Sequence, residues 1–205
     1  MDLSIIVPCH NLEKFISRLL ESLSSQIFLY NVELIFILDN CTDNTSEVIK
    51  KYAPGLLQKF TYCHIKEVNV QNAGLARNQG LEEATGKYIW FIDGDDWLIS
   101  NNAIDTLIYA MDETDADFIQ FGYESPAYFR FRGHPSMPWQ YIFKYEIIKD
   151  QRFPNIQPHE DLEFIKELYY RGYRPYKIEA VLYHYNYMRE GSNMRQFMEK
   201  GRIDQ

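Results

Sequence analysis

The sequence predicts an α/β fold, a mostly parallel sheet flanked by helices, and three observations carry that prediction. Short β-branched or wholly apolar runs recur at Ser4 to Val7, Val32 to Leu38 and Tyr88 to Ile92, without the alternation of a half-exposed strand. Stretches with helical spacing separate them, as in a doubly wound sheet. Two of the runs end in acids, Asp39 and Asp93, and the carboxyl edge of a parallel sheet is where ligands bind.

Taken in order, Ser4 to Val7 is closed by Pro8, and Asn11 is placed to cap a helix. Its apolar positions Leu12, Phe15, Ile16, Leu19, Leu20, Leu23 and Ile27 share one helical face. The second run ends in Asp39, Asn40, Cys41, Thr42 and Asp43, side chains suited to capping a helix from about Thr45 to Tyr52. Thr61 to Val68 reads as a weaker strand. Leu75, Ala76, Leu81 and Ala84 then mark a helix that Gly86 would stop, directly before Tyr88 to Ile92. Beyond Asp96 the pattern loosens: Ala103 to Met111 is helical and Asp117 to Phe121 a strand. Tyr123 to Tyr145 crowds aromatics among Pro126, Gly133, Pro135 and Pro138 and reads as irregular loop or short edge strands. Asp161 to Arg171 is a helix and Val181 to Tyr187 a last strand.

The length of 205 residues fits one domain with an ample core. With 21 basic and 29 acidic residues the net charge is −8, so nucleic acid is not expected as a partner. An anionic ligand must be met locally, by a metal or a few arginines. Cys9, Cys41 and Cys63 are odd in number and lack paired spacing, which points away from disulfides or a zinc ribbon and toward a reducing, cytoplasmic compartment. No signal peptide is read, and no run reaches the ~20 apolar residues of a membrane span. Membrane association would have to be peripheral, at the inner face.

Asp93, Asp95 and Asp96 admit two readings. Asp-Gly-Asp-Asp is turn chemistry, and it is also a cluster of hard oxygens suited to Mg²⁺ or Mn²⁺ rather than zinc or copper. Asp39 at the same sheet edge favours a site. For Asp43 the turn reading is preferred. Glu160 and Asp161, taken alone, read as helix N-terminal acids stabilising the dipole, and His159 and His184 as packed or hydrogen-bonded side chains.

Five segments, SIIVPCHNLEKFI, LDNCTDNT, NAGLARNQGLEEATGKYIWFIDGDDWL, PHEDLEFIKEL and YNYMREGSNM, resemble in order the motifs of family 2 glycosyltransferases of the GT-A fold. The resemblance covers nearly the whole chain except about Tyr123 to Ile156. It implies a single GT-A domain over 1–205, with 1–100 as the nucleotide-sugar-binding half and 101–205 as an aromatic-rich acceptor-side half. The implied activity is metal-dependent inverting transfer from a nucleotide-sugar donor, usually UDP-linked, to a hydroxyl of a glycan or lipid-linked acceptor. Mn²⁺ or Mg²⁺ is the implied cofactor, held by the Asp-x-Asp motif.

Residue by residue, the resemblance puts Pro8, His10 and Glu13 against the nucleotide base and Asp39 on the uracil ring. Arg77 and Asn78 match the Ala-Arg-Asn motif, with Arg77 on the donor. Asp95 is the implied ribose and metal contact, Asp96 the direct metal ligand and Asp93 a supporting one. Glu160-Asp161 matches the Glu-Asp motif, with Asp161 as the base that takes the acceptor hydroxyl's proton. Arg189 and Ser192 belong to a late element that closes over the diphosphate. The chain departs from the family at His10, where Tyr is usual, at Leu38 and Cys41, and in a shorter run from Asn72 to Asn78. These departures leave open a catalytically degenerate nucleotide-sugar-binding paralogue, against which stands the retention of Asp161 and the acids. The aromatics of Tyr123 to Tyr145 offer ring faces to an acceptor sugar, whose identity they do not specify. A phosphoacceptor receiver is excluded by the lack of an acidic pair after Val7. A sugar-1-phosphate nucleotidyltransferase is excluded by the lack of a Gly-rich, Arg-containing loop there.

Overall fold

The computed structural model describes residues 1–125 and 137–187. The chain runs β1 (Leu3–Cys9), α1 (Ile16–Ser24), β2 (Val32–Asp39), α2 (Thr45–Leu56), β3 (Tyr62–Val68), α3 (Ala73–Glu83), β4 (Tyr88–Phe91) and β5 (Trp97–Leu98). It continues through α4 (Ala103–Thr114), β6 (Phe118–Glu124), a 3-10 turn (Pro138–Gln140), β7 (Tyr141–Lys144), α5 (Tyr145–Ile148), α6 (Glu160–Tyr170) and β8 (Tyr176–His184). One sheet takes the order β3-β2-β1-β4-β7-β6-β8-β5.

The half from β3 to β4 is parallel, which sets the ends of β1, β2, β3 and β4 along one edge. Every residue of β1, β2 and β4 is buried, as their mostly apolar runs require. Successive side chains go to opposite faces. Leu3, Ile5 and Val7 pack with α1, α2 and α4, while Ile6 meets the layer of α3, α5 and α6.

Glu33 interrupts β2 without breaking it, because one carboxylate oxygen accepts the Ser4 hydroxyl at 2.6 Å and the Thr85 N–H at 2.7 Å. This pins the link between α3 and β4 to the opposite edge. Gly86 sits in that link, and its requirement is steric: a Cβ there would stand 2.5 Å from the Ser4 nitrogen. Gly86 was expected to end the helix. The helix instead ends at Glu83 with Ala84 already extended.

Three further expectations are corrected. Asn11 does not cap α1; it takes a left-handed backbone (φ 51°), and the helix begins at Ile16 after a turn. The segment Tyr123 to Tyr145 is not merely loop or edge. It contributes β7, which lies antiparallel between β4 and β6 in the middle of the sheet, and Tyr123 lies within β6. The last strand starts at Tyr176, earlier than Val181, and pairs in parallel with β6 through two register shifts. Those shifts hide its alternation. The two-residue β5 has no sequence signature at all. Among the described residues, no helix is long and apolar enough to cross a membrane.

Candidate active site

The carboxyl ends of the parallel strands carry the acids, and the connecting turns bring Asn11, Asn40 and Gln71 into left-handed backbone one after another along that edge. Such conformations persist only where surrounding bonds hold them. Asn11 Oδ1 accepts the Thr42 N–H at 2.8 Å, and Leu12 N–H donates to the Thr45 hydroxyl at 2.7 Å. Glu13 accepts from the Asn44 side chain at 2.9 Å and its backbone N–H at 3.2 Å. The turns after β1 and β2 are thus laced together, and the Glu13 carboxylate is part of the lacing.

Asp39 is 4% exposed and organises the next turn. Its Oδ1 accepts the N–H groups of Val70 and Gln71 at 2.8 and 2.9 Å, and Oδ2 that of Asn72 at 3.0 Å. Asn72 in turn caps α3 by accepting from Leu75 N–H. The His10 ring lies at 2.6 Å from the Asp39 carbonyl through Nδ1, which assigns the proton to Nδ1 and leaves an exposed ring face. Pro8 is buried in β1.

Arg77 of α3 is the centre of the site. It is 3% exposed, with its guanidinium over the Phe153 ring at 5.4 Å. One arm donates to Asp93 at 2.7 Å and the other to Asp161 at 2.8 Å; the two carboxylates keep 24% and 28% of their surface. Burial pulls the guanidinium's affinity for its proton down, but the charges of Asp161 and Asp93 more than reverse this. Its Nε, also buried, has no hydrogen-bond partner among the described residues. Asp161 sits in the first turn of α6, entered through His159 in left-handed backbone (φ 93°). Removal from water, opposed by Arg77 and helped by Asp93 and Glu160, pushes the Asp161 carboxyl up to about 7. Asn78 fixes the approach to α6, donating to the Phe153 carbonyl and accepting the Phe153 N–H, both at 2.9 Å.

The acidic turn has a tight base. A Cβ on Gly94 would stand 2.6 Å from Leu12 Cδ1, so the turn rests closely on the segment before α1 and a larger residue there would have to displace the Leu12 side chain. Asp96, the expected direct ligand, is 1% exposed; it accepts the Tyr183 hydroxyl at 2.7 Å and the Asn186 N–H at 2.8 Å. Burial, then the charges of Asp95 and Asp93, push its carboxyl well above the usual range. Asp95 is half-buried beside it. His184 stacks on Trp97 at 3.8 Å and meets Glu124 at 3.0 Å, as a packed histidine does. Arg189 and Ser192 lie outside the described residues, as do Tyr128, Phe129 and Phe131.

Sequence reasoning missed Tyr183 and Phe153, which lie outside the motif segments, and Asn186, which lies in the last of them but was given no role. A cavity of about 550 Å³ lies along the outer side of α6 with Glu146, Arg152, Glu167 and Arg171 in its wall, and none of the acids above lines it.

The model of "Glycosyl transferase family 2" matches residues 4–161, which spans the first-edge turns, Arg77, the acidic turn and Asp161. The chain belongs to glycosyl transferase family 2. Curated relatives include Glycosyltransferase GlyA of Streptococcus pneumoniae, 32% identical over 60% of this chain and 17% of its own length. The Uncharacterized glycosyltransferase YibD of Escherichia coli is 38% identical over 58% of this chain and 33% of its own. The chain therefore spans a third or less of either relative. Among solved structures, Staphylococcus aureus TarS 1-349 in complex with UDP-GlcNAc superposes with a TM-score of 0.82 at 25% identity, covering 95% of this chain and 61% of that one. The mannosyltransferase PcManGT of Pyrobaculum calidifontis, in complex with GDP-Man and Mn²⁺, shares the fold at a TM-score of 0.74 and 16% identity, over 92% of this chain and 58% of its own. The family's GT-A architecture is the one described above.

Proposed function

We propose that this chain transfers a hexosyl or N-acetylhexosaminyl group from a UDP-linked donor to a hydroxyl of a glycan or lipid-linked acceptor, with inversion at the sugar carbon. The observation that carries the reading is Arg77, which holds an acidic turn with one arm and a separately mounted carboxylate with the other. An inverting displacement needs that division: one group of charges for the leaving diphosphate, and a base elsewhere for the incoming hydroxyl. Asp161, held by Arg77, takes the acceptor proton. With its carboxyl near 7 it binds a proton more firmly than an ordinary aspartate and is still half ionised at neutral pH. Glu160 keeps the site anionic beside it. The exposed face of His10 stacks on the base, and Asp39 retains a free lone-pair direction for the base's ring N–H beyond the three N–H groups it already accepts. The TarS complex with UDP-GlcNAc supports the choice of UDP.

The donor set suits a hard divalent cation. Asp95 and Asp93 lie close enough to Asp96 to raise the cost of its charge, and Arg77 engages Asp93. Among the described residues no three ligating side chains converge, so an Mg²⁺ or Mn²⁺ ion here would take further oxygens from the diphosphate and water. Asp95, with Asp93, would hold the ion. We assign the ligand role to Asp95 rather than Asp96, whose two oxygens are already bonded inside the fold. The cation would stabilise charge growing on the diphosphate.

A thermal-shift panel tests the reading. UDP at a hundred times its dissociation constant should stabilise the protein by about 2.7 kcal/mol with Mn²⁺, and by much less in EDTA. Equal shifts in the two buffers would remove the cation, and no shift with any nucleotide would remove the donor.

A further inference from the structure

The acidic turn is held from outside by the end of β8 and the two residues that follow it. The Tyr183 hydroxyl accepts the Asp93 N–H at 3.1 Å and donates to Asp96 Oδ2 at 2.7 Å. Asn186 donates its backbone N–H to Asp96 Oδ1 at 2.8 Å and its side-chain amide to the Asp95 carbonyl at 3.2 Å. All three acids of the turn are therefore fixed, by backbone or side chain, from two residues of one strand end. Tyr183 is itself immobilised: it is fully buried, and its ring stacks on Trp139 at 4.6 Å with 6° between planes. Trp139 in turn accepts the Trp90 indole N–H from β4 at 2.9 Å. A rigid path thus leads from the strand that ends in the acids, through two aromatic rings, back to the acids themselves.

We propose that Tyr183 and Asn186 are positioning residues that set the acidic turn for its cation, with Asp96 as the internal acceptor they grip. The proposal rests on the cation reading above. Groups that orient metal-binding side chains from behind typically change metal affinity about 10- to 100-fold when removed. Fixing the turn at Asp93 N–H, the Asp95 carbonyl and the Asp96 carboxylate holds the backbone from which the side chains of Asp95 and Asp93 would meet the ion.

The test compares wild type, Tyr183→Phe and Asn186→Ala by UDP affinity in Mn²⁺ and in EDTA, and by hydrogen exchange of metal-free protein. In Tyr183→Phe, affinity with Mn²⁺ should fall about tenfold while affinity in EDTA stays within about twofold, and residues 90–98 should lose protection while β1 and β2 keep theirs. Asn186→Ala should move the same two readouts in the same direction, and it carries the test if the phenylalanine variant fails to fold. Asp96→Asn, which still offers an acceptor to Asn186 N–H, should retain more Mn²⁺ dependence than Asp95→Asn. Wild-type Mn²⁺ dependence and protection in both clamp variants would overturn the proposal, and so would equal losses in Mn²⁺ and EDTA. If Mn²⁺ leaves wild-type affinity unchanged, the cation reading fails, and the exchange result alone decides whether the clamp exists.

Discussion

Arg77 puts two carboxylates under one charge, and removing it leaves both without their partner in a site where water reaches only part of each. Breaking a buried ion pair costs about 3–5 kcal/mol; with the carboxylates a quarter open, Arg77→Met should cost about 3 kcal/mol, a fall of roughly 6–12 °C in Tm by calorimetry. Arg77→Lys should recover only part of this, because one ammonium cannot span both acids as a planar fork does. Asp161 makes a kinetic prediction. The ionised carboxyl is the base, and its value lies near 7, so kcat/KM should rise with pH up to about 7 and level off above it. Asp161→Asn should lower transfer by about 10²–10⁴-fold while UDP affinity changes little; retained turnover would remove Asp161 as the base. Neither partner of Arg77 was legible as such. They lie 16 and 84 residues away in the chain, and a salt bridge at that separation leaves no local pattern.

At the level of elements, what could be read from sequence were those with a strong period or a mostly apolar run: β1, β2, β4, α4 and α6 fall close to their expected places, whereas α1 keeps only Ile16 to Leu23 of its expected face and leaves Ile27 exposed. The failures have a common cause. β5 and β7 are two and four residues long and owe their existence to partners far along the chain, and β8 loses its alternation to register shifts. The acids were visible as a site because they end strands, whereas the engagement of Asp39 with three backbone N–H groups was not, since backbone donors have no letter in the sequence. That engagement makes Asp39 a support for the turn into α3. Asp39→Ala should orphan those groups and cost about 1–3 kcal/mol, and chemical denaturation would measure it. Asn78→Ala should cost a similar amount for the two bonds at Phe153, and a variant at wild-type stability would show that the approach to α6 is held by other means.

Across the whole molecule, the first hundred residues and the rest share one sheet, and the junction is β4 against β7. A fragment of residues 1–100 would leave the buried edge of Tyr88–Phe91 unpaired. It should bind a hydrophobic dye and melt without cooperativity, whereas a fragment with a sharp transition would show the first hundred residues to be a unit of their own. The same junction sets a timetable for synthesis. β4 leaves the ribosome with β1 already available on one side, but its other neighbour begins at Tyr141, behind a further helix and strand. At the ~5–20 residues per second of translation, that delay leaves one flank of the strand bare for roughly 2.5–10 s. During that interval the nascent chain presents an open strand edge just ahead of its three acids, and the charges of Asp93, Asp95 and Asp96 serve there as guards against pairing with another chain before they serve anything else.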